Sequence, residues 1–155
     1  MGHHVSRIIW LAAWAGAAYG ALLLEALPGE IGHDWCGPWG CLPPVQALAA
    51  MHLFWAVLLA PPVVWAWRTC RTVTLHRLGV LLVTLGLLCV ALVVAREALT
   101  WYPHVPTVYR RYFGRRVLYA LATLVDLPAV QLVVAGAACW LGARRKRRAG
   151  DPPVE

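Results

Sequence analysis

Charged residues are scarce in this chain of 155 residues, at 14% of the total against about 25% in an average soluble domain. Seven residues are acidic, and Lys146 is the only lysine beside the arginines. The sequence has no glycine-rich phosphate loop, zinc-finger spacing, zincin motif or Ser-His-Asp set. Because no catalytic or metal-binding constellation is complete, the sequence does not predict an enzyme, and no metal site is expected.

Apolar residues take the place of charge and make up 61% of the chain. Four apolar segments run over residues 8–27, 45–67, 78–98 and 117–141. A helix of about 20 residues rises about 30 Å, the thickness of the hydrocarbon core of a bilayer. Short connections make neighbouring helices antiparallel. The sequence therefore predicts an all-α integral membrane protein: an up-down bundle of four transmembrane helices in one domain, residues 1–143, and a basic cytoplasmic tail, residues 144–155.

The basic residues predict the orientation of this bundle. With the N-terminus inside, the inner side holds Arg7, Arg68, Arg71, Arg77, Arg144, Arg145, Lys146, Arg147 and Arg148. The outer side holds Arg110, Arg111, Arg115 and Arg116, with Arg96 near a helix end. The inner excess predicts N-in, C-in insertion in a bacterial inner membrane by the positive-inside rule. Because the charges lie between apolar runs, they indicate membrane topology, and no nucleic-acid partner is expected.

The stretch "GHDWCGPWGCLPP", residues 32–44, contains the motif most suggestive of chemistry. Trp35-Cys36-Gly37-Pro38 resembles the start of a thioredoxin-type active site, but the second thiol here is Cys41. The predicted topology places both cysteines in an outward, oxidising compartment. The intervening glycines and proline favour a tight turn, so we expect a structural disulfide worth about 2 kcal/mol or less. A redox pair, a metal site with His33 and Asp34, and free thiols are the other interpretations.

In size, in its four predicted spans and in this outward cysteine pair, the chain is similar to the four-helix quinone-linked disulfide oxidases, the DsbB-like and vitamin K epoxide reductase-like proteins. Those proteins relay electrons through a second cysteine pair. The remaining cysteines, Cys70, Cys89 and Cys139, do not reach the second outward loop. The chain is therefore not assigned to that family, and Cys89 and Cys139 are interpreted as small packing residues.

Ionisable residues at membrane depth are costly and often functional. The predicted spans place such a polar cluster in the outer half of the bilayer: Glu25, His52, Arg96, Glu97 and Asp126. One interpretation is interhelical bonding, with Arg96 paired to Asp126 or Glu25 and His52 bonded to a backbone carbonyl. A second makes His52 and His104 the axial ligands of a b-type haem. A third assigns proton or cation transport to Asp126 and Glu25.

The second outward loop, "WYPHVPTVYRRYFGRR", interleaves Arg110, Arg111, Arg115 and Arg116 with aromatic residues. Such a segment is typical of contact with anionic lipid or with a partner protein. The predicted function is that of a non-catalytic small polytopic membrane protein, an accessory subunit of a larger membrane complex. No cofactor is expected in this chain. The alternatives are a thiol-disulfide oxidoreductase using Cys36 and Cys41 with quinone, and a haem b-binding or small transporter-like protein.

Overall fold

The protein is mostly helical, which confirms the predicted helical class. The computed structural model describes residues 2–26, 36–41, 43–124 and 126–149, apart from the side chains of residues 2–7 and 25. The described α-helices are α1 (Gly2–Leu23), α2 (Val45–Thr69), α3 (Thr72–Thr100), α4 (Phe113–Thr123) and α5 (Ala129–Arg148). Strands β1 (Cys36–Gly37) and β2 (Gly40–Cys41) form an antiparallel hairpin, and 3-10 helices run over Leu24–Ala26 and Thr107–Tyr112.

Within the described residues, helices α2 and α3 are long and apolar enough to cross a membrane. They contain 25 and 29 residues, and a rise of about 1.5 Å per residue gives both more than the ~30 Å of a hydrocarbon core. The apolar part of α1, Ile8–Leu23, is shorter. Two of the four predicted spans therefore have helices of sufficient length.

The segment predicted as the fourth span, residues 117–141, is divided between two helices. Helix α4 ends at Thr123 and helix α5 begins at Ala129, with Pro128 as its N-cap residue. A proline has no N–H to continue a helix and disfavours helical backbone in the residue before it. Helix α5 then continues to Arg148, so the predicted start of the basic tail, residue 144, lies inside a helix.

The chain divides into two compact units. Unit 1 comprises Met1–Leu58 and Pro106–Val125, and unit 2 comprises Leu59–Val105 and Asp126–Glu155. Unit 1 thus holds α1, the hairpin, the first half of α2, and α4. Unit 2 holds the end of α2 together with α3 and α5.

Unit 2 is built on a close antiparallel crossing of α3 and α5. A Cβ on Gly79 would lie 2.8 Å from the carbonyl oxygen of Gly136, and a Cβ on Gly136 would lie 2.7 Å from that of Gly79. One heptad further along α3, a Cβ on Gly86 would lie 2.8 Å from the carbonyl oxygen of Ala129. The two backbones therefore approach as closely as small residues permit, which is how helices pack in lipid.

A small apolar core closes one end of this crossing. Its buried members are Ala66, Leu75, Cys139 and Ala143, so the predicted packing role of Cys139 agrees with its position. Trp67 covers Gly142 and donates its indole N–H to the carbonyl oxygen of Ala138 at 3.1 Å. Nearby, the ammonium of Lys146 donates to the carbonyl oxygen of Cys70 at 3.0 Å, just beyond the end of α2. A cation here also suits the negative end of the helix dipole.

In unit 1, α1 supplies a hydrogen bond that α2 cannot make for itself. Helix α2 contains Pro61 and Pro62 and continues through both to Thr69. Because Pro61 has no N–H, the carbonyl oxygen of Val57 loses its normal partner four residues along the helix. The indole N–H of Trp14 donates to that oxygen at 2.8 Å. The tryptophan thus replaces the missing backbone donor and ties α1 to α2.

Candidate functional site

The cysteine pair forms the predicted disulfide across the hairpin. Cys36 pairs with Cys41 and Gly37 with Gly40, so Pro38 and Trp39 make the turn. The Cα atoms of the two cysteines lie 4.1 Å apart, close to the ~4.5 Å of a directly opposed pair without hydrogen bonds to each other. Both cysteine residues are exposed. His33 and Asp34, the possible metal ligands beside this pair, lie outside the described residues.

Two side chains of α4 hold the hairpin through its backbone. The guanidinium of Arg116 donates from Nη1 to the carbonyl oxygen of Trp39 at 2.7 Å. One helical turn further on, the hydroxyl of Tyr119 donates to the carbonyl oxygen of Cys41 at 3.0 Å. The first of these is a charge-assisted bond, the stronger class. Together they fix the turn and the second strand of the hairpin against α4.

Gly40 makes this close approach possible. Its φ of +128° lies in a region that side chains other than glycine rarely adopt. A Cβ at this position would also lie 2.8 Å from the ring of Tyr119 and 3.2 Å from Nη1 of Arg116. On the other strand, the indole of Trp39 covers Gly37 so closely that a Cβ there would lie 2.6 Å from it. The hairpin therefore needs glycine on both sides of its turn.

The ring of Trp39 is part of a surface formed by aromatic and cationic side chains. Its centroid lies 5.5 Å from that of Tyr112, with the rings tilted by 57°. The guanidinium carbon of Arg115 lies 5.2 Å from the Trp39 centroid and 5.5 Å from the Tyr112 centroid. The guanidinium carbon of Arg111 lies 4.9 Å from the Tyr112 centroid, and its Nη2 donates to the Tyr112 hydroxyl at 2.9 Å. We call these four residues, Trp39, Arg111, Tyr112 and Arg115, the hairpin site.

His52 bonds a backbone carbonyl, as the interhelical interpretation expects. Its Nε2–H donates to the carbonyl oxygen of Ala122 at 3.0 Å. Ala122 lies in the last turn of α4, where a helix leaves its carbonyl groups without intrahelical partners. The imidazole therefore satisfies a group exposed by the end of α4 before Pro128. His104, the other proposed haem ligand, donates from Nδ1 to the carbonyl oxygen of Thr100 at 2.9 Å.

The remaining members of the predicted polar cluster differ in exposure. Arg96 and Asp126 are both exposed, and no ion pair joins them among the described residues. Glu97 is the buried charged residue of the described core, with 2% of its surface exposed. The side chain of Glu25 lies outside the described part of the chain, although its backbone belongs to the first 3-10 helix. Of the two alternatives for Arg96, the pairing with Asp126 does not occur among the described residues, and the pairing with Glu25 stays a prediction.

The sequence indicated Arg111, Arg115 and the aromatic residues between the arginines, but not that Trp39 contacts Arg115 or that Tyr119 bonds the hairpin. The available signal was local: Trp39 stands between two glycines in a four-residue spacer, where a bulky ring can cover the backbone. The contacts between this turn and α4 join residues 77 and 78 positions apart. Spacing along the sequence does not indicate such distant contacts.

No protein-family model, no curated protein and no solved structure matches this chain.

Proposed function

We propose that this chain is a non-catalytic multi-pass membrane protein, inserted N-in and C-in in a bacterial inner membrane, and an accessory subunit of a larger membrane complex. The observation that carries the membrane location is the apolar exterior of its long helices. On α3, Leu81 and Leu92 each expose 62% of their surface, and on α1 Trp10 exposes 75%. Monomeric soluble proteins rarely expose continuous apolar patches of more than a few hundred Å². Lipid is the solvent that such surfaces fit.

The hydrogen bonds at the helix irregularities support the same location. In lipid an unpaired carbonyl costs several kcal/mol because no water can bond it. Trp14 bonds the carbonyl that Pro61 leaves open, and His52 bonds one at the end of α4. In the proposed four-span topology the fourth crossing is made mainly by α5, with the end of α4 before it. The bond from His52 then stabilises the break between those two helices.

Reporter fusions in a bacterial host test the topology. Alkaline phosphatase fused after residue 105 is expected to be active, because that position lies outside, whereas a fusion after residue 71 is expected to be inactive. Green fluorescent protein at the C-terminus should fluoresce. A phosphatase-active fusion after residue 71 would contradict the N-in, C-in arrangement. Extraction of the protein from membranes by alkaline carbonate would contradict membrane integration itself.

Purification from native membranes tests the role as a subunit. A tagged chain solubilised in mild detergent is expected to carry a defined set of membrane proteins in fixed proportion. Deletion of the chain should lower the amount of the assembled complex. No reaction that depends on catalysis by this chain should disappear. Recovery of the chain alone under several mild detergents would contradict the accessory role.

A thiol-disulfide oxidoreductase is the second candidate, favoured by the exposure of both Cys36 and Cys41. In that reaction the two thiols would form the disulfide, and a quinone would take up their two electrons and two protons to become quinol. Acid-quenched thiol trapping in native membranes separates the two roles. A disulfide that stays oxidised throughout growth, with no mixed disulfide in the variant Cys41→Ser, supports a structural bond. A thiol fraction that follows the redox state of the quinone pool supports the oxidoreductase.

A further inference from the structure

We propose that the hairpin site binds the phosphate of an anionic phospholipid headgroup, through the guanidinium groups of Arg111 and Arg115. This inference rests on the membrane location proposed above and extends it by naming a ligand and the side chains that hold it. The site lies within unit 1, and its parts come from the disulfide-closed hairpin, from the 3-10 helix before α4 and from the first turn of α4.

Two cationic side chains contact the same ring. The guanidinium carbons of Arg111 and Arg115 lie 4.9 and 5.5 Å from the centroid of Tyr112. An oxyanion bound beside this ring can accept charge-assisted hydrogen bonds from these guanidinium groups and offsets their positive charge. Arginine suits the purpose because its planar donors match the geometry of a phosphate.

The contacts of Arg115 hold its guanidinium in place before any ligand binds. The guanidinium of Arg115 lies over two rings at once, those of Trp39 and Tyr112. Contact with two rings limits the positions that this guanidinium can take, and its planar donors suit an oxyanion. No acceptor for the donors of Arg115 occurs in the part of the chain that the structure describes, and the side chain is exposed. Trp39 is fixed in turn by the bond from Arg116 to its carbonyl oxygen.

The apolar surface beside the arginines favours a lipid over a small soluble anion. The segment around the arginines also exposes apolar side chains: Val108 exposes 57% of its surface and Leu118 68%. Tyr109 is exposed as well, at 40%. A headgroup phosphate with an acyl chain below it meets both kinds of surface, whereas inorganic phosphate uses only the cations. Aromatic rings with polar tips are also enriched at this depth of a membrane.

The test is native mass spectrometry of the full chain in detergent, titrated with phosphatidylglycerol or with phosphatidylcholine of the same acyl chains. We expect phosphatidylglycerol to bind more tightly. The variant R111Q/R115Q should weaken that binding roughly 25-fold, because each arginine near an anionic surface contributes about fivefold. The matched control R145Q/R147Q removes two exposed charges from α5, outside the hairpin site, and should weaken the binding much less.

A third variant separates a built site from general attraction. Trp39→Leu keeps every charge but removes one ring that holds Arg115, and it should weaken phosphatidylglycerol binding several-fold. Because Trp39→Leu leaves both arginines in place, it also tests whether the hairpin site binds phosphatidylglycerol if R111Q/R115Q does not fold.

Four results would overturn the proposal: equal affinity for the two lipids, an equal loss in R145Q/R147Q, no effect of Trp39→Leu, or displacement of phosphatidylglycerol by millimolar inorganic phosphate. The last would identify a soluble anion as the ligand. Carbonate extraction is measured on the same membranes. Loss of lipid selectivity in a chain that resists extraction overturns only this site, whereas an extractable chain overturns the membrane location as well.

Discussion

At the scale of single residues, Gly40 is the position where both the backbone conformation and the packing require glycine. Replacing it with alanine forces a side chain into a φ of +128° and brings a Cβ to 2.8 Å from the Tyr119 ring. Backbone strain of this kind costs about 1–3 kcal/mol before the contact is counted. We expect Gly40→Ala to lower the free energy of unfolding by at least that amount, measured by thermal or denaturant unfolding in detergent.

Gly114 provides the matched control for this prediction. It lies in the first turn of α4, and a Cβ there would meet nothing within 4 Å. Gly114→Ala should be neutral or stabilising by up to about 1 kcal/mol, because alanine loses less backbone entropy in a helix. Equal losses in the two variants would contradict the prediction that the positive φ and the close contacts make Gly40 the more sensitive position.

At the scale of helices, the bond from Trp14 to Val57 allows a double-mutant cycle. Trp14→Phe removes the N–H donor and leaves a part-buried carbonyl without a partner, a loss of about 1–3 kcal/mol. Pro61→Ala restores the backbone N–H that can bond the same oxygen. We therefore expect Trp14→Phe to cost much less in the Pro61→Ala background than in the unaltered chain.

The neighbouring proline makes the cycle specific. Pro62→Ala restores a donor for the carbonyl oxygen of residue 58 and does nothing for that of Val57. Trp14→Phe should therefore keep its full cost in the Pro62→Ala background. A cost that falls equally in both proline variants would show that the tryptophan acts through packing and not through this hydrogen bond.

The crossing of α3 and α5 gives the second prediction at this scale. A Cβ on Gly79 meets backbone atoms of Gly136 and Trp140 at 2.8 Å, and backbone cannot rotate away as a side chain can. Gly79→Ala should lower the free energy of unfolding by about 1–3 kcal/mol. Gly16→Ala in α1, where nothing lies within 4 Å of the added atom, is the control and should leave stability unchanged or raised. Tolerance of Gly79→Ala would mean that the two helices separate at little cost.

How far the sequence predicted these elements depends on the kind of signal each one carries. The helices α2 and α3 were predicted because long apolar runs report directly on membrane length. The disulfide was predicted from two cysteines around a turn of glycine and proline, which is a local feature. The division of residues 117–141 into two helices had a local signal in Pro128, but the sequence interpretation treated the segment as continuous.

The contacts of the candidate site could not be predicted in the same way. Trp39 with Arg115, and His52 with Ala122, are brought together by the packing of helices that are distant in sequence. The interpretation that paired Arg96 with Asp126 or Glu25 relied on equal depth in a bilayer alone. Equal depth leaves the rotation of each helix undetermined, and both side chains are exposed in the structure.

At the scale of the whole molecule, the proposed orientation depends on where the basic residues lie. Arg144, Arg145, Arg147 and Arg148 supply four of the nine basic residues assigned to the inner side. Replacing them with glutamine leaves nearly equal numbers on the two sides, so the positive-inside bias is lost. We expect a mixed population, measured as C-terminal fusions to green fluorescent protein that lose fluorescence while the matching phosphatase fusions gain activity.

The opposite substitution is the control for this whole-molecule prediction. Glutamine at positions 110, 111, 115 and 116 removes the same number of charges from the proposed outer side. That variant should keep the C-terminus inside and leave green fluorescent protein bright. A C-terminus that stays inside in both variants would show that basic residues do not determine how this chain inserts.

The bond from Trp14 to Val57 also has a consequence for biosynthesis. A ribosome releases α1 before α2, so in the proposed membrane location the indole donor is already in place when the two prolines of α2 arrive. Helix α2 can then enter lipid with the carbonyl of Val57 already hydrogen-bonded, because its donor is synthesised first. The hydrogen-bond donor is thus synthesised before the acceptor that requires it. A circularly permuted chain in which α1 is made last would expose the unpaired carbonyl of α2 to lipid during insertion, and early degradation is the expected result.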